Sequence, residues 1–96
     1  MTIKEQVAEV LNLVDGGPWH WADLDLILLY FNDDYGYDKD DIPAIQEELD
    51  KQAYHHIIRV PEVTRKGVAR LKTIHVWATR PEIKASDIKK EYLELY

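Results

Sequence analysis

HHIIRVPEVTRKGVARLKTIHVWAT, residues 55–79, is the stretch that decides how this chain folds. Its two ends, HHIIRV at 55–60 and LKTIHVWAT at 71–79, are rich in β-branched and aromatic residues, which suit a pleated, half-buried surface. The middle, EVTRKGVAR, is polar, and Gly67 supplies the turn. The stretch predicts a two-stranded β-hairpin with a basic tip. Pro61 ends the first strand, since proline has no N–H to give a ladder. In the second strand Ile74, Val76 and Ala78 alternate with Thr73, His75 and Trp77, so one face reads apolar and the other mixed.

Upstream the texture is helical. Ile3, Val7, Val10, Leu11 and Val14 recur at spacings of three and four. Thr2 with Glu5 forms a T-x-x-E capping box, and Gly16-Gly17-Pro18 stops the helix, glycine suiting a left-handed cap. A second helix is expected from about Ala22 to Phe31, apolar most of the way round and therefore packed on more than one side. After the polar stretch NDDYGYDKDD at 32–41, Asp40 or Asp41 caps a third helix. Pro43 sits in its first turn, Ile42, Ile45 and Leu49 form its buried stripe, and Ala53 or Tyr54 extends it. Beyond Pro81, Ser86 is expected to cap a last helix running to Tyr96, with Ile88, Tyr92, Leu93 and Leu95 on its apolar side. The chain thus divides into a three-helix core (1–54), a basic hairpin (55–80) and a C-terminal helix (81–96), within one α+β domain.

With 96 residues, 46% hydrophobic and 31% charged, the composition is globular. The longest apolar run, Leu26 to Phe31, is six residues, far short of a membrane span, and the acids in MTIKEQVAEV do not fit a secretory signal. A soluble, cytoplasmic protein is expected. The absence of cysteine excludes disulfides, thiolate metal sites and cysteine catalysis. Charge is lopsided: residues 1–54 carry three bases and 13 acids, whereas residues 55–80 carry six bases and one acid. Such a chain suggests a polar partner or an internally complementary dimer.

The order of three helices, hairpin and closing helix resembles the winged helix-turn-helix family over about residues 2–80. LNLVDGGPWHWADL at 11–24 is similar to that family's junction between first and second helices, where a short strand or extended turn leads into helix two. DDIPAIQEELDKQAYHHIIRV at 40–60 resembles its third helix running into the first wing strand, and RKGVARLKTIHVWATRP at 65–81 its second wing strand. The resemblance implies a small prokaryotic or phage DNA-binding regulator, with the third helix in the major groove and the wing on backbone or minor groove. Arg59, Arg65, Lys66, Arg70 and Lys72 would then contact phosphate from the wing, with Gln46 and Lys51 reading from helix three. Helix three departs from that pattern, because Glu47, Glu48 and Asp50, with Asp38, Asp40 and Asp41 ahead of it, would be repelled by phosphates.

The alternative is a protein-interaction winged helix whose acidic third-helix face and loop 32–41 dock a basic partner, as inhibitor, recruiter or nucleic-acid mimic. Its residues would be Tyr35, Tyr37, Asp38, Asp40, Glu47, Glu48 and Asp50, the two tyrosines as anchors. The acidic loop fails the EF-hand template, and His20, His55, His56 and His75 lack ligand spacing, so no metal or cofactor is expected. Thr64, Thr73, Thr79 and Ser86 have no evident base, and neither an enzyme nor a small-molecule substrate is expected. Trp19, Trp21, Tyr30 and Phe31 read as core, with Trp77 and Tyr54 under the wing. The last helix is expected on helix one of its own subunit or, in a homodimer, on a second subunit.

Overall fold

The computed structural model describes residues 1–95. Thr2 starts the first helix, α1 (Ile3–Asp15): its hydroxyl accepts from the Glu5 N–H at 3.3 Å, and the Glu5 carboxylate accepts from the Thr2 N–H at 3.2 Å. Val7, Val10, Leu11 and Val14 form its buried stripe. The expected left-handed cap is absent. Gly16 keeps a right-handed φ of −77°, because its N–H and that of Gly17 reach back to the carbonyls of Asn12 and Val14 and satisfy the helix end.

The second helix begins later than its apolar run predicts. Trp21–Asp23 form a short strand, β1, and α2 spans Leu24–Asp34, started by the Asp23 carboxylate accepting from the Leu26 N–H at 2.9 Å. Ala22 belongs to the sheet, opposite Trp77. Although apolar most of the way round, α2 leaves one side bare: Ile27 and Phe31 are buried, while Leu26 and Leu29 are exposed. One layer of three helices covers only the side of α2 that faces α1 and the strands. A 3-10 turn at Lys39–Asp41 leads into α3 (Ile42–Gln52), which buries Ile45 and Leu49. At Ala53 the backbone becomes extended, so Tyr54 opens a strand rather than prolonging the helix.

The hairpin is longer than expected at both ends, with β2 at Tyr54–Val63 and β3 at Ala69–Ala78, in antiparallel register from Tyr54↔Ala78 to Val63↔Ala69. Pro61 does not end β2. The sheet order is β1-β3-β2, which makes β2 an edge strand where a missing N–H is tolerated. The connecting loop shrinks to 64–68, where Gly67 takes φ +79° and Thr64 bonds Val68 through both backbone and hydroxyl.

Alternation along the strands makes two cores. Trp77 and Ala22 face α1, α2 and α3 and join their cluster. Trp21, Ile58, Val60, Ile74, Val76 and Ala78 face the other way and are covered by Ile88 of the last helix, α4 (Ala85–Leu95). This corrects the expectation that the closing helix packs on α1: α4 lies on its own sheet, mainly against β2. The Trp21 indole donates to Glu91 at 2.5 Å and fixes that seat. Ser86 is exposed within the first turn of α4, and the Asp87 carboxylate accepts from the Lys84 N–H instead. Tyr96 lies outside the described residues. Trp21, Phe31 and Trp77 are buried as core, but Trp19 and Tyr30 are half-buried and Tyr54 is exposed. The hairpin projects, giving extents of 44 × 31 × 19 Å and a radius of gyration of 14.1 Å, against about 12–13 Å for a compact chain of this length. No described helix is long and apolar enough to cross a membrane.

Candidate docking face on the third helix and hairpin

The expected wing cations do not share a face. Arg59, opposite Thr73, lies on the sheet face that α3 shares, whereas Arg70 and Lys72, opposite Glu62 and Val60, lie on the face covered by α4. Arg70 is held by Glu62 at 3.2 Å. Arg65 and Lys66 stand exposed in the tip loop. The predicted readers on α3 are also displaced from their role. Gln46 is half-buried, and Lys51 pairs with Glu47 at 3.4 Å and Glu48 at 3.7 Å. The outer side of α3 therefore presents acid, with Glu47 and Asp50 exposed, Glu48 mostly covered, and Asp38 and Asp40 exposed ahead of the helix. Asp38, Asp40 and Asp41 are there at little cost, since acids are favourable near a helix N-terminus.

The tyrosine anchors are folded back. Tyr35 meets the edge of Phe31 with ring centroids 5.6 Å apart and donates its hydroxyl to Glu9, and both Tyr35 and Tyr37 pack on the helical core. The bond to Glu9 holds the Tyr35 phenol protonated and pushes its pKa up to about 12.

What sequence reading missed lies at the base of the hairpin. The Trp77 indole donates to Asp50 of α3 at 2.9 Å, His55 stacks on Trp77 at 4.9 Å, and His55 Nε2 sits 2.9 Å from His75 Nδ1. These rings are brought together by register, because His55 lies opposite Trp77 and His75 is their diagonal neighbour on one face. Past them the same face is bare and, apart from the Arg59↔Thr73 pair, apolar: Ile57 is 56% exposed, Leu71 64% and Val63 72%, with Pro61 opposite Leu71 and Ala69 opposite Val63. The signal was present in YHHIIRVPEV, where residues 57, 61 and 63 are apolar as well as 58 and 60, the mark of a strand with two faces to cover.

The arrangement is a ribbon with an acidic wall at its base, a floor that is apolar except at Arg59 and Thr73, and a cationic tip, which suits adhesion to a polar, partly apolar surface. Among the described residues no three His, Asp or Glu side chains gather at metal-holding geometry. No protein-family model, curated protein or solved structure matches this chain.

Proposed function

We propose that this chain is a winged-helix domain that docks a protein through the α3–hairpin face, with α3 not reading DNA. Three helices, a short strand before the second and a projecting hairpin wing support the fold reading. The observation that carries the function is the state of Lys51. It is the only cation on α3 and is neutralised by Glu47 and Glu48, so α3 would bring uncompensated acid toward phosphates. Beside it, the bare apolar ribbon of Ile57, Val63 and Leu71 is costly in water and of little use against a phosphate backbone. A partner with basic and apolar side chains satisfies both surfaces. The second reading, phosphate contact by the wing alone, is favoured by Arg65 and Lys66, which have no acid partner among the described residues.

Fluorescence anisotropy with two labelled probes separates the readings. One probe is a random-sequence DNA duplex; the other is a synthetic amphipathic Lys/Leu peptide. Docking predicts peptide binding that Leu71→Asp weakens about tenfold although it adds a negative charge, the opposite of loose electrostatic attraction. Micromolar duplex binding that falls steeply with salt and is lost in Arg65→Glu/Lys66→Glu overturns docking in favour of the wing tip.

A further inference from the structure

We infer that the partner of this face is a second copy of the same chain, packed two-fold and antiparallel, ribbon on ribbon. The inference rests on the docking reading and names its occupant. Its ground is the order of charges along the face. Asp50 and Glu47 stand at the base, where Asp50 holds Trp77 beside His55, and Arg65 and Lys66 stand at the tip. From His55, beside Asp50, to Arg65 in the tip loop is ten residues, about 33 Å if extended, and the midpoint falls at Val60, beside the Pro61↔Leu71 pair. A two-fold axis there lays each cationic tip on the other copy's acidic α3 and each Leu71 near its symmetry mate. One operation thus covers Ile57, Pro61, Val63 and Leu71 and matches tip to α3, while Arg59, one pair from the axis on the edge strand β2, keeps its guanidinium at the rim in water. The α4 face offers no such site, because Ile88 already closes it.

Area sets the strength. Two strands of this length offer roughly 300–400 Å² of ribbon per copy, below the roughly 600 Å² per partner of the smallest stable interfaces, so the tip-to-α3 contacts must complete the contact. A micromolar, salt-sensitive dimer follows.

Sedimentation equilibrium from about 5 to 500 μM tests it, a range spanning the expected affinity. The expected result is a monomer–dimer equilibrium that loosens several-fold as salt rises. Leu71→Asp sets two carboxylates near each other at the axis and abolishes the dimer. Arg65→Glu/Lys66→Glu gives an all-acid face, and Glu47→Lys gives a more basic one. Each weakens its own homodimer about tenfold, and an equimolar mixture associates more tightly than either, since both tip-to-α3 contacts are then attractive. These side chains are exposed, and thermal unfolding confirms that the variants fold. A monomer throughout, a dimer indifferent to Leu71→Asp, or a mixture no tighter than its components overturns the inference. If the monomer still binds the Lys/Leu peptide and Leu71→Asp weakens it, only the second copy is wrong; if it does not, the docking reading falls too.

Discussion

Trp77 joins the two halves of the molecule through a single side chain. It is 2% exposed, packs in the helical cluster from its place in β3, and donates to Asp50 of α3. Trp77→Phe removes that donor and part of the ring volume, and is expected to lower stability by about 2 kcal/mol, read from urea unfolding. At the other end of the core, Asp15 accepts from the Thr79 hydroxyl at 2.8 Å and from Arg80 Nε at 3.0 Å, which together hold its carboxyl below the ordinary 3.8. A carboxylate depressed in the folded state stabilises above its unfolded pKa, and that contribution disappears as pH falls through the lower, folded value. Asp15→Asn should therefore be less stable than the parent at pH 7, and the two should converge in strong acid when unfolding is followed across pH. Tyr35 gives the opposite sign. Its neutral form is the one held, by Glu9, so ultraviolet titration of the six tyrosines should show one phenol ionising at about 12, and Glu9→Gln should bring it down.

Elements were legible where local chemistry decides them. The Thr2–Glu5 box starts α1 as read, and the hairpin strands declared themselves by β-branched content. The turn is equally local: Gly67 holds φ +79°, where an L side chain is strained although nothing lies within 4 Å of its added Cβ. Gly67→Ala is expected to destabilise by about 1 kcal/mol, visible in thermal unfolding, without altering the helical core. Boundaries were less legible. Pro61 reads as a terminator in isolation, but at an edge its missing N–H faces no partner, so β2 runs on to Val63. Ala22–Phe31 reads as a helix packed on more than one side because composition does not say how many layers will cover it.

The whole molecule is a sheet between unequal layers. Three helices cover the base of one face, α4 covers the other, and the outer hairpin is covered on the α4 side alone. The layer on the α4 side hangs on Ile88, which is fully buried between α4 and the strands. Ile88→Ala is expected to cost about 2–4 kcal/mol and to loosen the Trp21–Glu91 contact, which a shift in tryptophan fluorescence would report.

The sequence by itself determined the order of helices and hairpin, the capping box that starts α1, the glycine turn, and the opposition of an acidic first half to a basic hairpin. Each of these depends on residues close in the chain. Only the tertiary structure decided where charge and apolar surface meet. Register placed His55 and His75 beside Trp77, ion pairing withdrew Lys51 and Arg70 from service as free cations, and the seat of α4 left Ile57, Val63 and Leu71 bare. Those outcomes depend on which faces meet across the fold, and a side chain's exposure is set by its neighbours in space, not by its own hydropathy.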